Sequence, residues 1–497
     1  MTDAQITNAP RTLDSLGLEP LRRTAGTPEL TGVVVDSRQV RAGVLFAALP
    51  GVNAHGARFA AAAIAAGAVA ILTDEEGFAQ ARPDDGAVWL VADDARAALS
   101  QVAARWFGAQ PDVMVAVTGT NGKTSVASFT RQLWAAMGLR AVNFGTTGVE
   151  GAVNAALSHT TPEPVILHGL LADLAAQGVT HGAMEASSHG LAQRRLDGVK
   201  LRAAGFTHLS RDHLDYHATV PEYEAAKGLL FDRVLASDGT AVINLDTDAG
   251  QRMIARAKSA GRQVLTVGRD PVADLRLLST TFEASGQRVS FAYQDAEYAA
   301  SLELIGSFQA ENALLAAGLA VASGAVATDV FAALESLKPV AGRMQFAAHS
   351  QTGGAIYVDY SHTPDSVAIA LAALRPHVAG RLVCIVGAGG DRDPGKRPLM
   401  GQAAAQNADA VIVTDDNPRS EDPATIRAAV LAGAPDAQEI GDRAAAIAAG
   451  IAMLGPDDTL LIAGKGHETG QTIGDQVLPF NDVEVARLAA SKTGGPL

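Results

Sequence analysis

Val113-Met-Val-Ala-Val-Thr-Gly-Thr-Asn-Gly-Lys-Thr-Ser125 is the segment that decides the fold. An apolar strand runs into a turn that contains two glycines, and a helical segment follows. Glycines let backbone N–H groups converge on an anion, and the helix N-terminus adds its dipole. The sequence therefore predicts a phosphate-binding turn, here called the phosphate turn, formed by Gly119, Thr120, Asn121, Gly122, Lys123, Thr124 and Ser125.

Two residues of the phosphate turn are suited to nucleotide chemistry. Lys123 can reach the terminal phosphates, and the hydroxyl of Thr124 can coordinate Mg²⁺. The strict spacing of the common phosphate-loop motif fails, because it would require glycine where Val117 stands. The alternative is a plain strand–turn–helix junction with a surface lysine, but the flanking strand and helix favour phosphate binding.

The alternation of apolar strand and helix continues beyond this segment. Residues 113–118, 182–186, 203–209 and 241–245 have the apolar character of buried strands. Such alternation predicts right-handed βαβ units and a parallel sheet that helices cover on both faces. Shorter alternating segments in residues 273–303 predict an antiparallel patch on this sheet. A second run of strand and helix begins near Gly354.

The chain length predicts several domains. A chain of 497 residues is too long for one hydrophobic core, and about three domains are expected. The pattern changes place the boundaries near residues 110 and 340. The fold class predicted from these patterns is α/β.

Composition excludes several classes of protein. The formal charge is 39 − 53 = −14, which argues against nonspecific nucleic-acid binding. Cys384 is the single cysteine, so neither an intramolecular disulfide nor a thiolate zinc site is expected. The N-terminus lacks the pattern of a secretory signal, and the longest apolar stretch, residues 59–72, is too short to span a bilayer. We expect a cytoplasmic protein without membrane insertion.

Polar residues follow two of the predicted strands. Glu185 ends the strand of residues 182–186, and Asp212, His213 and Asp215 come shortly after the next one. Ligands bind at the carboxyl ends of strands in such sheets, and oxygen and imidazole groups there suit Mg²⁺ that bridges phosphates. The alternative for the second group is helix capping, and capping is compatible with metal binding.

Lys227 lies in residues 222–234, which are predicted to form one helix. By its pattern alone this is an ordinary lysine of an amphipathic helix.

Three polar clusters follow apolar strands in the last third of the chain. They are residues 387–397, 415–421 and 464–468. Together they contain guanidinium, ammonium and carboxylate groups, which are the groups that binding of a zwitterionic amino acid requires. Any one of them alone is equally consistent with a solvated loop, but their joint occurrence favours one crevice.

The chain resembles the Mur ligases over nearly its whole length. The matching segments occur in the family's order: Asp36-Ser-Arg38, Thr118-Gly-Thr-Asn-Gly-Lys-Thr124, His159-Thr-Thr-Pro162, Glu185-Ala-Ser-Ser-His-Gly190, Leu209-Ser-Arg-Asp-His-Leu-Asp215, Tyr223-Glu-Ala-Ala-Lys227, Asn312, Gly342-Arg343, Asp359-Tyr-Ser-His-Thr-Pro364, Gly389-Gly-Asp-Arg-Asp393, Asp416-Asn-Pro-Arg419 and Gly464-Lys-Gly-His-Glu468. The resemblance implies a central P-loop-type parallel sheet with flanking α/β domains. These are a UDP-binding domain at 1–110, an ATP-binding domain at 111–339 and a Rossmann-like amino-acid-binding domain at 340–497.

The resemblance also implies the reaction. It is ATP-dependent addition of meso-diaminopimelate to UDP-MurNAc-L-Ala-D-Glu through an acyl phosphate, in peptidoglycan synthesis, by a monomer that uses Mg²⁺. Segment Asp416-Asn-Pro-Arg419 is similar to the motif of the diaminopimelate-adding members. A guanidinium pairs bidentately with the distal carboxylate that lysine lacks, and an unpaired arginine penalises lysine.

Residue roles are carried over from the family position by position. For the UDP-linked dipeptide they are Val35, Ser37, Val52, Asn53, Ala54, Thr160, Thr161, Ser187, Gln193 and Arg195. ATP contacts beyond the phosphate turn are Asn312, Arg343 and Asp359. The metal ligands are Thr124, Glu185, His213 and Lys227, the last as a carbamate, and Lys123, Glu185, His213 and Lys227 form the catalytic set. Diaminopimelate contacts are Arg392, Asp416, Asn417, Pro418, Arg419, Gly464 and Glu468.

The sequence departs from the family at a few positions, and other functions remain open. His208 stands where asparagine is frequent, which puts that asparagine's polar contact in doubt, and Ala388 and Pro394 are packing changes. A lysine-adding Mur ligase and a folylpolyglutamate synthase are alternatives with the same chemistry. A phosphate-loop ATPase switch is an alternative without ligase activity, but it leaves the three C-terminal clusters unexplained.

Overall fold

Three α/β units, each built on its own sheet, follow one another along the chain. The computed structural model describes residues 10–18, 22–51, 54–81, 86–210, 212, 216–283 and 285–491. The three main sheets have five, ten and six strands. The predicted α/β class is thereby confirmed.

The N-terminal unit is a small, mostly parallel sheet. Its strands are β1 (Arg11–Thr12), β2 (Arg22–Arg23), β3 (Glu29–Leu30), β4 (Gly32–Val34), β5 (Val44–Ala47), β6 (Ala70–Thr73) and β7 (Val88–Val91), and its helices are α1 (Ala60–Ala65), α2 (Glu75–Ala81) and α3 (Ala95–Phe107). The main sheet of this unit has the order β2-β7-β6-β5-β4, with β2 antiparallel to β7, and β1 and β3 pair antiparallel in a separate two-stranded sheet. Helix α3 is capped at its N-terminus by Asp94, whose side chain accepts a hydrogen bond from the Ala97 amide, and at its C-terminus by Gly108, which has a positive φ.

The central unit contains the ten-stranded sheet. Its strands are β8 (Val113–Thr118), β9 (Ala141–Gly145), β10 (Gly148–Gly151), β11 (His181–Glu185), β12 (Leu201–Phe206), β13 (Leu235–Asn244), β14 (Gln263–Gly268), β15 (Leu275–Glu283), β16 (Gly286–Tyr293) and β17 (Ala296–Leu302). Its helices are α4 (Lys123–Ala136), α5 (Pro164–Ala176), α6 (Ser188–Ala192), α7 (Val220–Leu229), α8 (Asp248–Ser259), α9 (Phe308–Ala322) and α10 (Ala327–Ala333). The order is β10-β9-β11-β8-β12-β13-β14-β15-β16-β17. Strands β9, β11, β8 and β12 to β15 are parallel, whereas β15 to β17 form the predicted antiparallel patch.

Buried side chains lie on both faces of this sheet. Helices α4, α9 and α10 cover one face, where Phe129, Trp134 and Leu319 are fully buried. Helices α5 and α8 cover the other face, with Leu171 and Met253 in its core. Two covered faces are the arrangement that the continuous apolar strands predict.

The predicted bounds of several elements differ from the observed ones. Strands β11 and β13 were predicted over residues 182–186 and 241–245, but they span His181–Glu185 and Leu235–Asn244. Strand β8 was predicted to the residue, whereas β12 ends at Phe206, before the polar residues that follow. The single helix predicted over residues 222–234 is wrong in its second half. Helix α7 ends at Leu229, and a π-helical turn, Leu230–Val234, leads into β13.

The C-terminal unit is a six-stranded sheet. Its elements are β18 (Gln345–His349), β19 (Ala355–Asp359), α11 (Pro364–Leu374), β20 (Leu382–Val386), α12 (Lys396–Asn407), β21 (Ala410–Val413), α13 (Pro423–Leu431), β22 (Gln438–Glu439), α14 (Arg443–Ala452), β23 (Thr459–Ala463), β24 (Gly470–Ile473), β25 (Gln476–Pro479) and α15 (Asp482–Ser491). The order is β18-β19-β23-β20-β21-β22, and β24 and β25 form a separate hairpin. Only β18 is antiparallel to its neighbour in the large sheet.

A fully buried ion pair joins α14 and α15. Arg443 Nε and Nη2 each donate to one oxygen of Asp482 at 2.7 Å, and neither side chain is exposed to solvent. Nη2 also donates to the carbonyl of Ala463 at 2.9 Å. Removal of one partner from such a pair leaves an uncompensated buried charge.

Replacement of Asp482 by asparagine should therefore destabilise the C-terminal unit by about 3–5 kcal/mol. Calorimetric thermal unfolding should show the corresponding transition at a lower temperature. The exposed pair of Arg22 and Glu75 is the control, since Glu75→Gln should change stability by no more than about 1 kcal/mol. Equal effects of the two substitutions would contradict this role of the buried pair.

Candidate functional site

Loops at the carboxyl ends of the central strands and residues of the C-terminal unit line one cavity of about 930 Å³. The edge of a sheet where parallel strands end is the usual place for a ligand. Many residues singled out from the sequence line this cavity: Thr120, Asn121, Gly122, Lys123, Thr124, Ser125, Thr160, Thr161, Glu185, Ser187, Arg195, Asn312, Arg343 and Asp359.

The phosphate turn depends on two glycines. Gly119 and Gly122 have φ of 145° and 87°, which side chains rarely tolerate. A Cβ on Gly119 would lie 1.8 Å from Thr207 Oγ1 at the end of β12. The turn thus passes close to the neighbouring strand before α4 begins at Lys123.

Two lysines converge on the carbonyl of Gly119. Lys123 Nζ donates to this oxygen at 3.0 Å and to that of Thr120 at 2.7 Å. Lys227 Nζ donates to the same Gly119 oxygen at 2.6 Å and lies 4.3 Å from the centre of the Tyr223 ring. The pKa of Lys123 is lowered by desolvation, against which the charges of Glu185 and Asp212 act.

Lys227 is not an ordinary helix-surface lysine, so that interpretation of the sequence is wrong. Its side chain is 1% exposed. Burial, and then the charge of Lys123, lower its pKa well below the usual value. A buried amine with a lowered pKa is neutral more often than a surface lysine, and neutral amines are nucleophiles.

Glu185 is held by a residue that the sequence analysis missed. The carboxylate is buried, its Oε1 accepts from the Thr146 amide at 2.8 Å, and its Oε2 accepts from Thr146 Oγ1 at 3.1 Å. Thr146 Oγ1 also lies 3.2 Å from the hydroxyl of Thr160. The signal was present, because Thr146 directly follows β9, just as Glu185 ends the neighbouring β11.

The fit to a metal rests on oxygen donors. Within the described ranges no group of three or more His, Cys, Asp or Glu side chains is arranged to hold a metal ion. Glu185 and the Thr124 hydroxyl both line the cavity, and Thr124 Oγ1 accepts from Arg343 Nη2 at 3.1 Å. A buried carboxylate and a hydroxyl suit Mg²⁺. His213 lies outside the described residues.

A second side of the cavity is built from residues around α6. Thr161 Oγ1 donates to the Glu185 carbonyl at 2.9 Å and accepts from the Ser187 amide at 3.1 Å. Arg195 Nη1 donates to the carbonyl of Thr161 at 2.6 Å, and Nη2 donates to Gln193 Oε1 at 2.8 Å. These contacts bring together the residues predicted to hold the dipeptide.

The side of the cavity facing the C-terminal unit contains the three residues predicted to contact ATP outside the turn. Asn312 Nδ2 donates to Gln309 Oε1 at 3.2 Å, and its Oδ1 faces the Cα of Gly122. The Arg343 guanidinium stacks 4.6 Å from the Tyr360 ring centre. Asp359 accepts from the amide of Met344 at 2.7 Å.

The predicted uridine contacts lie elsewhere. Val35 and Ala54 belong to the N-terminal unit, and Ser37 begins a short 3₁₀ turn capped by Asp36. None of these three residues lines the cavity. Val52 and Asn53 lie outside the described residues.

The three C-terminal clusters meet in a hydrogen-bonded group. Asn417 Nδ2 donates to Glu468 Oε2 at 2.8 Å, and Lys465 Nζ donates to both Asn417 Oδ1 and Glu468 Oε2 at 2.9 Å. Arg419 Nη1 donates to the carbonyl of Gly390 at 2.7 Å. Lys465, which is fully buried, lies in the predicted cluster of residues 464–468, but no individual role was predicted for it.

The remaining predicted amino-acid contacts differ in burial. Asp416 is buried, and a Cβ on Gly464, whose φ is 117°, would lie 2.4 Å from its Oδ2. Pro418 is also buried, whereas Arg392 is exposed and donates to the Asp391 carbonyl at 3.0 Å. Arg392 therefore lies at the rim of the group.

Tyr360 connects this group to the cavity. It lines the cavity, and its pKa is raised by burial and by the charge of Glu468. Its ring lies 5.0 Å from that of His467. The residues predicted to bind the nucleotide and those predicted to bind the amino acid are thus neighbours.

Comparison with known proteins identifies the family. A UDP-N-acetylmuramoyl-L-alanyl-D-glutamate–2,6-diaminopimelate ligase of Bradyrhizobium diazoefficiens is 52% identical over 470 residues, which are 93% of this chain and 96% of the relative. The chain belongs to the Mur ligase family. Three family models match it: "Mur ligase family, catalytic domain" at 29–107, "Mur ligase middle domain" at 117–320 and "Mur ligase, glutamate ligase domain" at 342–466.

Two further relatives agree with this assignment. A ligase of the same name from Mesorhizobium japonicum is 50% identical and covers 96% of this chain and 98% of the relative. A solved structure of a protein of that name has 34% identity and a TM-score of 0.71, and covers 97% of this Mur ligase and 99% of its own chain. The resemblance stated from the motifs is confirmed, and the chain is an ATP-dependent amide-bond ligase. No helix in the described part of the chain is long and apolar enough to cross a membrane.

Thr146→Val should lower kcat. The substitution keeps the side-chain shape and the hydrogen bond from the backbone N–H to Glu185, but it removes the hydrogen bond from the hydroxyl. A hydrogen bond to a charged group contributes about 1.5–3 kcal/mol, which corresponds to a decrease in kcat of roughly 10- to 100-fold. ADP release at saturating substrates measures it. Thr146→Ser, which keeps the hydroxyl, is the matched control, and equal kcat for all three proteins would refute the role of Thr146.

Proposed function

We propose that this Mur ligase joins meso-2,6-diaminopimelate to UDP-N-acetylmuramoyl-L-alanyl-D-glutamate, with conversion of ATP to ADP and phosphate, in peptidoglycan precursor synthesis. The choice of diaminopimelate as the substrate is supported by the position of Arg419. This residue lies beside Asn417, Lys465 and Glu468 at the edge of the cavity proposed for the nucleotide. Relatives about 50% identical have the name of this enzyme.

The first step is phosphoryl transfer. The γ-carboxylate of the D-Glu residue attacks the γ-phosphorus of ATP, which gives an acyl phosphate and ADP. Lys123, at the start of α4, offsets charge on the phosphates, and the amides of the phosphate turn orient them. Thr160, Thr161, Ser187, Gln193 and Arg195 orient the dipeptide, so that positioning supplies most of the catalysis.

Mg²⁺ would be held by oxygens of Thr124 and Glu185, by Lys227 as a carbamate and by His213. When bound, it neutralises charge on the transferred group. The buried Lys227 amine is suited to the modification because its neutral form attacks CO₂, which forms the N–C bond and releases one proton. Two hydrogen bonds from Thr146 hold the Glu185 carboxylate in position.

The second step is amide formation. The free amine of diaminopimelate attacks the acyl carbon, phosphate leaves, and the amine loses a proton to solvent. Glu468 and Asp416 provide negative charge for the substrate's ammonium group, and Arg419 and Arg392 provide positive charge for its carboxylates. The backbone at Gly464 and the fixed ring of Pro418 complete this side of the site.

The remaining assignments complete the proposal. Residues 1–110, 111–339 and 340–497 are proposed as the domains for UDP, ATP and the amino acid. Val35, Ser37, Val52, Asn53 and Ala54 hold the uridine end. The enzyme is proposed to act as a cytoplasmic monomer on small-molecule substrates.

ADP release with each substrate omitted in turn tests the function. Full turnover should require ATP, the UDP-linked dipeptide and meso-diaminopimelate, and L-lysine should replace the last one poorly. Lys123→Ala should reduce turnover by about 100-fold or more, the scale of one lost electrostatic contact to a transition state. Equal use of lysine would refute the substrate, and amine-independent ATP hydrolysis would favour the ATPase switch.

Carbamylation of Lys227 predicts a dependence on CO₂. Incubation at mildly acidic pH without CO₂ should lower activity, because loss of CO₂ from the carbamate takes up the one proton that its formation releases. Added bicarbonate at neutral pH should restore it, and native mass spectrometry should show the mass of one CO₂. Lys227→Arg keeps the positive charge but cannot be modified, so it should stay inactive in bicarbonate. Activity independent of CO₂ would contradict the assignment.

A further inference from the structure

The hairpin of β24 and β25, residues 470–479, lies against the loop that contains Arg419. The Arg419 amide donates to the Thr472 carbonyl at 3.0 Å, and the Gly474 amide donates to the Arg419 carbonyl at 2.7 Å. Arg419 thereby forms an isolated parallel bridge with Ile473. The backbone of Arg419 is thus paired with the hairpin at this one position. Residues 416–419 are here called the arginine loop.

Two further contacts join the hairpin to the arginine loop. Gln471 Nε2 donates to the Asp416 carbonyl at 2.8 Å, and the Thr472 amide donates to Asn417 Oδ1 at 2.9 Å. Lys465 donates to the same Asn417 oxygen. Because this oxygen accepts two N–H donors, the Asn417 amide group has one orientation, with Nδ2 toward Glu468.

Arg419 has an unusual backbone conformation. Its φ is 52°, in the left-handed region that residues other than glycine, asparagine and aspartate rarely adopt. Both its backbone N–H and its carbonyl are paired with the hairpin, so these bonds hold the conformation. Without them the residue would relax to negative φ, which would turn its side chain in another direction.

Only part of the Arg419 guanidinium is hydrogen-bonded to the protein. Nη1 donates to the carbonyl of Gly390 at 2.7 Å, and within the described ranges Nε and Nη2 have no hydrogen-bond acceptor. One edge of the fork is thus open to a carboxylate, provided that the backbone keeps its conformation.

We propose that the hairpin of residues 470–479 determines amino-acid specificity by holding Arg419 in its left-handed conformation, with the guanidinium fork fixed for the distal carboxylate of the substrate. This inference rests on the proposed function. An arginine fixed in place rejects lysine because it stays unpaired, whereas a mobile one turns to solvent and accepts lysine at little cost. Loss of the hairpin contacts should therefore lower discrimination more than it lowers catalysis.

The hairpin is well placed for a test. Gln471 is partly exposed and Gly474 is exposed, so substitutions at these two positions leave the hydrophobic cores untouched. Gly474 is the first residue of the two-residue turn, and it has a φ of 57° with no atom within 4 Å of an added Cβ. Gly474→Ala thus strains the turn without a steric clash. Gln471→Leu is an independent second variant, which removes the hydrogen bond from the Gln471 side chain to the Asp416 carbonyl.

The experiment compares kcat/KM for meso-diaminopimelate and for L-lysine at saturating ATP and UDP-linked dipeptide. Gly474→Ala and Gln471→Leu should each lower the ratio of the two values by at least fivefold, chiefly through a higher KM for diaminopimelate. Gly261→Ala, at a φ of 72° and equally free of contacts beyond α8, is the matched control for strain, and its ratio should equal that of the wild type. Circular dichroism establishes that each variant is folded.

The possible failures are distinguishable. A wild-type enzyme without preference for diaminopimelate would refute the proposed substrate, and a preference that survives Arg419→Ala would refute the role of Arg419. If the wild type prefers diaminopimelate, an unchanged ratio in either folded hairpin variant overturns the proposal for the hairpin. If Gly474→Ala does not fold, Gln471→Leu alone decides.

Discussion

The carbonyl of Gly119 accepts hydrogen bonds from two lysines, and the rest of the site depends on this contact. Burial, and then the charge of Lys123, disfavour the charged form of Lys227. Under the proposed function, the phosphates of a nucleotide offset the charge of Lys123, and a carbamate replaces the amine of Lys227.

The sheet topology brings acidic groups to the same place. Strand β8 pairs with β11 on one side and β12 on the other, so Glu185 and the residues after β12 flank the phosphate turn. Glu185 is buried, but its two oxygens are already fixed by Thr146. A carboxylate whose position is fixed before substrate arrives needs no reorganisation during phosphoryl transfer.

Short stretches of sequence predicted those parts of the site that depend only on neighbouring residues in the chain. The apolar run before Gly119 gave the bounds of β8, because a strand buried on both faces is apolar throughout. Burial of Lys227 was not predicted, since its helix has the composition of an amphipathic helix and its depth comes from packing against Tyr223 and the phosphate turn. The contact of Thr146 was missed although the residue directly follows β9, because its partner Glu185 is 39 residues away in the chain. Of the two partners of Lys465, Asn417 is 48 residues away and only Glu468 is local.

The arginine loop shows the limit of motif reasoning most clearly. The side chain of Arg419 was recognisable from its neighbours Asp416 and Asn417, but its direction depends on φ, and φ depends on backbone bonds to Thr472 and Gly474. Backbone hydrogen bonds require no particular side chain, so the sequence indicates them only through the glycine of the turn. Specificity in this site is therefore divided between a residue that the sequence displays and a conformation that only the fold supplies. A loop with the same four residues but without the hairpin would retain the charge of the arginine and lose the fixed geometry that excludes lysine.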